Sequence, residues 1–416
     1  MSTRRTQAVV PTKTMPLTST ASLAACLLTG PTRAAVATVA VAGPQVGELL
    51  AQVFQPASAA AVRAGQVRYG LWHGGDPASD ASESVVVSRN PDRRDPASAE
   101  SWEIHCHGGV VAAGRILDDL RRLGAVVLSG DAWRRWQGVP LLLREAQEVL
   151  SRTTSPRTAA IALDQVRGAM AQWVERSLQR LAAAEDGLGS VMAEAAECLQ
   201  FAGLGLHLDQ PWRVVLAGPP NVGKSSLINA LLGYRRSITL DQPGTTRDVL
   251  EAQTVIEGWP VRLSDTAGIR DAAECEIESA GIELARGELE IADLVLWIRD
   301  ASGAAADPAP APEDTATRRI LEVDNKIDLL APAAITTGAV ATAATSGVGI
   351  ERLRLRIAAM LVPQEPPAGQ PVPIHPRQVA CLRRLVAAPD AATARVALLE
   401  LSGMLAERDS VFPPLP

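Results

Sequence analysis

Gly218-Pro-Pro-Asn-Val-Gly-Lys-Ser225 is the stretch whose reading decides the fold. It matches G-x-x-x-x-G-K-[ST] and stands between an apolar run, Arg213–Ala217, and a helical pattern from Ser226 to Leu232. A strand that turns through glycines into a helix is the context this spacing requires. Glycines let the backbone wrap around phosphates, and a helix N-terminus points free N–H groups at them. Lys224 can reach the β- and γ-phosphates of a nucleotide, and Ser225 can ligate Mg²⁺. Asn221, Val222, Gly223, Lys224, Ser225 and Ser226 are therefore the candidate phosphate set.

Three further motifs follow in order. Gly244-Thr-Thr-Arg-Asp248 lies where a switch loop must lie, and Thr246 is the candidate second Mg²⁺ ligand. Asp265-Thr266-Ala267-Gly268 follows a predicted strand, Val261–Ser264. Asp265 would hold the Mg²⁺ shell through water, and the Gly268 amide would sense the γ-phosphate. Asn325-Lys326-Ile327-Asp328 follows another predicted strand, Arg319–Val323. Its Asp328 carboxylate can accept both the N1–H and the 2-amino hydrogens of guanine, a pair adenine lacks. Four motifs in this order predict a domain that binds and hydrolyses GTP. Ile269 stands where a Ras-type enzyme carries a water-orienting glutamine, and isoleucine cannot do that work. No arginine is placed as a finger. Asn221 offers a side-chain oxygen near the phosphates, which suits a bound monovalent cation.

Around this domain the chain changes character. Arg33–Val41 reads as a strand, Val46–Phe54 as a helix, and Ser84–Ser88 as an apolar run before a polar loop, Asn90–Ser101. Trp102–His105 is strand-like, and Val110–Leu123 is helical. Leu141 to Leu204 is helical throughout, Pro363–Pro376 is a proline-rich linker, and Arg377–Ala406 is helical again. The expected fold is multidomain α/β: an α+β N-terminal domain, a helical domain, and a Ras-like P-loop domain with a mostly parallel sheet inserted into it. The expected boundaries are a tail at 1–18, the N-terminal domain at 19–130, the first helical part at 131–210, the G domain at 211–361, and a linker with a truncated second helical part at 362–416.

The composition narrows the function. A net charge of −6 does not advertise nucleic-acid binding, so an RNA substrate needs a local patch or a partner protein. The five cysteines are scattered with no C-x-x-C pair, which argues against a zinc site or a disulfide framework and suits the cytoplasm. No apolar run is long enough to span a membrane. Arg4 and Arg5 before Ala21–Leu28 faintly resemble an export signal, but the apolar part is short. Neither membrane nor DNA is an expected partner.

The block Asn221–Gly233 (NVGKSSLINALLG), with GTTRD, DTAGIR and NKID, resembles translation-factor-like bacterial GTPases. Glu103-Ile-His-Cys-His-Gly-Gly109, the helical block and the inserted domain narrow this to a resemblance to the tRNA-modification GTPase family (MnmE/TrmE), from about Arg33 to about Arg384. The resemblance implies a homodimer formed by the N-terminal domain, which binds a formyl-folate. It implies G domains that pair across the dimer, promoted by K⁺. It also implies a flavin- and NADH-dependent partner that completes modification of the wobble uridine (U34) of tRNA. The family's K⁺ ligands map onto Asn221, the backbone of Leu240 and Gln242, and Thr245. Its water-orienting glutamate precedes x-x-Gly-Ile-Glu, here Ser279–Glu283, and so maps onto Glu278, with Glu276 as the alternative. Lys224 and Glu278 are the candidate catalytic pair.

The departures fall in one functional group. The family ends in Cys-x-Gly-Lys, whereas this chain ends Val411-Phe-Pro-Pro-Leu-Pro416. An arginine of the first strand is Ala40, the Pro-Gly-Arg-Gly-Gly lead is Pro31-Thr-Arg-Ala-Ala35, and a lysine after the N-terminal domain falls near Pro140. Of the folate contacts only Glu103 survives, so 5-formyl-tetrahydrofolate binding is expected to be weak or absent. The family's Ser-Ala-Lys is Ala343-Ala344-Thr345, whose Ala344 N–H can still meet guanine O6. Three functions stay open: a divergent tRNA-modification GTPase, a paralogous switch or scaffold without the one-carbon step, and a ribosome-assembly GTPase. His105 and His107 share one side of a strand with no third ligand in view, so a turn ending in Gly108-Gly109 is preferred there to a metal site.

Overall fold

The computed structural model describes residues 23–30, 34–58, 65–74, 82–90, 100–183, 187–233, 251–265, 291–303, 319–330 and 338–405. The chain divides into two compact units, Met1–Arg144 and Glu145–Pro416.

The first unit is built on a seven-stranded sheet. Its strands are β1 (Ala24–Leu27), β2 (Val36–Gly43), β3 (Phe54–Pro56), β4 (Val67–Trp72), β5 (Glu83–Arg89), β6 (Glu100–His107) and β7 (Val126–Leu128). Their order is β3-β4-β5-β6-β2-β1-β7, antiparallel except for the β1–β7 pair. The helix Val110–Arg122 buries Ala113, Ile116 and Leu120, spaced to line one stripe, against one face with Val39, Val41, Val87 and Ile104. On the other face Trp133 covers the small residues Ala24, Cys26, Ala40 and Ala42.

Ala21–Leu28, read as export-like, contains β1, whose Ala24, Ala25 and Cys26 are fully buried between β2 and β7. The helix from Val46 stops at Leu50, because Phe54 pairs with Trp72 as the first residue of β3. The loop ending at Ser101 gives its last two residues, Glu100 and Ser101, to β6.

The second unit holds a six-stranded sheet: β8 (Trp212–Ala217), β9 (Ala252–Ile256), β10 (Trp259–Asp265), β11 (Leu294–Asp300), β12 (Arg319–Asn325) and β13 (Val340–Ala341). The order is β13-β12-β11-β8-β10-β9, with every pair parallel except β9–β10. Strands buried on both faces read as continuous apolar runs, and β8 and β11 do so. The helices Lys224–Leu232 and Ile350–Leu361 bury Leu227, Leu231, Leu353 and Ile357 in the same core.

Helices from both sides of this sheet in sequence form one bundle. Helix Gly187–Gln200 packs on Pro376–Val386, and Ala169–Ala183 packs on Ala391–Ser402. A half-buried ion pair fastens the two halves. Arg377 donates to both oxygens of Glu145 at 2.9 and 2.8 Å, and also to the helix-end carbonyls of Glu400 and Leu401. The P-loop unit is thus an insertion in a helical domain. The region after Arg377 is helical as expected, in two helices: Pro389 cannot continue the first, and Asp390 caps the second through the Thr393 N–H at 2.7 Å. The proline-rich segment is not a free linker. Val372 and Ile374 are buried, and Gln165 bonds the Gln370 carbonyl and the Val372 N–H.

Candidate functional site

The site is assembled at the C-terminal ends of the parallel strands. Leaving β8, the backbone turns at Gly218, where a Cβ would lie 2.2 Å from the Ile298 carbonyl oxygen of β11. Asn221 then takes a left-handed conformation at φ 62°, and Gly223 another at φ 94°. A Cβ at Gly223 would lie 2.4 Å from the Asn325 side-chain nitrogen. Glycine is therefore required at Gly218 by the neighbouring backbone and at Gly223 by its backbone angle, while a side chain at Gly223 would also displace Asn325. The helix that starts at Lys224 has no side-chain cap at its N-terminus. A helix N-terminus at the end of such a loop favours an anion.

Lys224 is buried and folds back over the loop. Its Nζ donates to the carbonyls of Gly218 at 3.2 Å and Pro219 at 3.0 Å. Ser225 Oγ donates to Asp265 Oδ2 at 2.9 Å, because β10 runs beside β8 with Asp265 opposite Leu216. A hydroxyl and a buried carboxylate at this distance form a hard-oxygen donor pair of the type Mg²⁺ takes.

The base side is joined to the phosphate side by one residue. Asn325 Nδ2 donates to the Val222 carbonyl at 2.9 Å. Its Oδ1 accepts from the Thr342 hydroxyl and from the Ala344 N–H, each at 3.2 Å. The Ala344 N–H, expected to meet guanine O6, is thus turned onto Asn325. Lys326 is also left-handed, at φ 64°, and its Nζ meets Asp300 Oδ2 at 2.7 Å. Asp328 is exposed in a short 3₁₀ turn and accepts from the Thr345 hydroxyl at 3.4 Å.

Asp300 escaped the sequence reading. Burial alone would raise its carboxyl, but hydrogen bonds from Lys326 and from the Ser302 side chain and backbone hold it below the usual carboxylate range. The Asx turn that Asp300 makes with the Ser302 N–H can be closed by any non-proline residue at that position, so Asp300-Ala-Ser302 carried no distinctive signal.

The structure brings Asn221, Val222, Gly223, Lys224, Ser225, Ser226, Asp265, Asn325, Lys326, Asp328 and Ala344 to one end of the sheet. Leu240, Gln242, Thr245, Thr246, Thr266, Ala267, Gly268, Glu276 and Glu278 lie outside the described residues.

In the first unit, Glu103 stands on β6 opposite Ala40 on β2 and Ser88 on β5. His105 Nδ1 is 3.0 Å from the Thr38 hydroxyl, and His107 pairs with Glu83. Cys106 points to the core side, where burial, with a smaller contribution from Glu83, pushes its thiol up to about 11. Among the described residues no group of three or more His, Cys, Asp or Glu side chains could hold a metal ion. Among them also, no helix is long and apolar enough to cross a membrane.

A family model described as the GTP-binding protein TrmE N-terminus matches residues 23–130, and one described as a 50S ribosome-binding GTPase matches residues 213–332. The tRNA modification GTPase MnmE of Synechococcus sp. (strain RCC307) is 35% identical over 353 residues, covering 76% of this chain and 76% of that protein. The tRNA modification GTPase MnmE of Moorella thermoacetica is 33% identical over 337 residues, covering 74% and 72%. Among solved structures, the FeoB G-domain from Methanococcus jannaschii is 24% identical with a TM-score of 0.25, covering 36% of this chain and 97% of that one.

Proposed function

Because this chain belongs to the family of the tRNA modification GTPase MnmE, we propose that it couples GTP hydrolysis to modification of the tRNA wobble uridine. GTP binding and hydrolysis belong to the P-loop unit. Family membership carries the tRNA part of this reading, and the brace from Asn325 to the Val222 carbonyl carries the GTP-binding part. It fixes a guanine-reading motif to a phosphate loop, so base identity and phosphate position are set by one rigid frame.

Within that frame Lys224 binds the β- and γ-phosphates. Ser225 and Thr246 would hold Mg²⁺, with Asp265 supporting them. When bound, Mg²⁺ supplies neutralisation of the charge that builds on the phosphate oxygens. Asp328 reads the N1–H and 2-amino group of guanine. Gly268, with Thr266 and Ala267, senses the γ-phosphate. Glu278, with Glu276 as the alternative, orients the attacking water.

Asn221 with Leu240, Gln242 and Thr245 would hold K⁺. Its left-handed backbone is a conformation that asparagine tolerates better than most residues. The same reading gives a homodimer in the cytoplasm, working with a flavin-dependent tRNA-modifying partner. It gives weak or absent binding of 5-formyl-tetrahydrofolate, because Ala40 opposite Glu103 offers no hydrogen-bonding group.

The test is mass spectrometry of tRNA from a deletion strain carrying either the wild-type chain or Lys224→Ala. Restoration of modified wobble uridine by the wild type alone is expected. Restoration by both would detach the modification from nucleotide binding. Restoration by neither would leave a GTPase that serves as a switch or scaffold.

A further inference from the structure

The lysine of the guanine-reading motif, Lys326, is held by a carboxylate that belongs to no nucleotide motif. Asp300 ends β11 directly opposite Asn325 on β12. One oxygen accepts from the Ser302 N–H at 2.9 Å and the Ser302 hydroxyl at 2.6 Å, and the other meets Lys326 Nζ at 2.7 Å. The Asp300 side chain is 5% exposed, whereas that of Lys326 is 31% exposed. A nearly buried carboxylate with three committed hydrogen bonds is a fixed anchor, and the lysine is the movable partner.

The anchor is tied to the strand ends as well. The Ala301 N–H donates to the Asn325 carbonyl at 2.9 Å, and the Ile327 N–H donates to the Thr342 carbonyl at 3.2 Å. Lys326 stands between these two bonds in a left-handed conformation that lysine rarely adopts. Such a conformation persists only where the surroundings over-determine it.

We propose that Asp300 is a positioning residue for guanine nucleotide binding, holding the Lys326 ammonium so that its aliphatic stem is pre-set as a rigid wall for the base. This rests on the reading of Asn325–Asp328 as the guanine-reading motif. A free lysine stem samples many rotamers and loses that freedom when a base packs on it. Here the ion pair removes that freedom before the nucleotide arrives. Asp300 acts through Lys326 and touches no phosphate, so it contributes to GTP and GDP binding alike.

The experiment is equilibrium binding of a fluorescent GDP to the full chain as wild type, Asp300→Ala, Lys326→Ala and the double variant. Asp300→Ala is expected to weaken GDP binding about tenfold, about 1.4 kcal/mol. In the Lys326→Ala background the same change is expected to cost less than about twofold, because coupled residues are not additive. A similar loss in both backgrounds would mean that Asp300 only supports the strand ends, and no loss in either would mean that the anchor is idle; both outcomes overturn the proposal. Asp300→Asn keeps an acceptor for Ser302 while losing the charge. It carries the same test should Asp300→Ala unfold, with an expected loss between wild type and alanine. A wild-type chain that binds no guanine nucleotide would overturn the guanine pocket itself, a result distinct from any pattern among the variants.

Discussion

Replacing Gly223 by alanine tests the brace between the base side and the phosphate side. Two costs follow from the geometry. Alanine at φ 94° is strained, by about 1–2 kcal/mol. Its Cβ would also lie 2.4 Å from Asn325 Nδ2, so the asparagine must swing away from the Val222 carbonyl. Losing that buried hydrogen bond costs about 1–3 kcal/mol. Gly233 separates the two effects. It too has positive φ, at 56°, but a Cβ there meets nothing within 4 Å. Both variants should lower the Tm by about 2–8 °C through backbone strain. Only Gly223→Ala should weaken fluorescent GDP binding, by about 5- to 150-fold if the contact cost falls on the bound state. Equal nucleotide affinity in the two variants would refute the claim that Asn325 works by bracing the loop.

Asp293 sets an acid limit on stability. Burial would raise its carboxyl, but hydrogen bonds from His207 and the Arg213 N–H hold it below the usual range. A depressed carboxylate contributes stability that is present above its unfolded pKa of about 3.9 and lost as pH falls through the lower folded value. The Tm gap between wild type and Asp293→Asn should therefore close as the pH falls below about 4; a gap that widens on that acidification would reverse the assignment. GTP turnover should be faster in K⁺ than in Na⁺, and Asn221→Ala should remove the difference; equal wild-type rates in both salts would discard the cation site. Glu278→Ala should lower turnover by about 100-fold or more while leaving GTP affinity intact, and normal turnover would move the role to Glu276.

What was legible in the sequence was local. The phosphate loop, the strands on either side of it and the NKID turn each occupy a few consecutive residues with fixed spacing. Their mutual geometry was not legible, because the Asn325–Val222 bond spans 103 positions and the Ala344 N–H is diverted by the same asparagine. β1 was missed for a different reason. A four-residue strand buried on both faces shows no alternation, so Ala24–Leu27 looks like any short apolar run. β4 hid in the opposite way: Val67, Tyr69 and Leu71 are exposed and Gly70 interrupts it, yet Phe54 leaves no room for a side chain there. The proline-rich segment misled through composition, since Gln165 satisfies the backbone that the prolines had marked as loop.

The Glu145–Arg377 pair has a consequence for synthesis on the ribosome. The carboxylate is made 232 residues before the guanidinium that neutralises it. At about 5–20 residues per second, the first helices wait roughly 10–50 s for their partner. During that interval they cannot close their bundle, while the P-loop unit, whose strands are contiguous in the nascent chain, emerges between them. Within Glu145–Pro416, vectorial folding should thus run from the inside outward, with the helical domain the last part to lock.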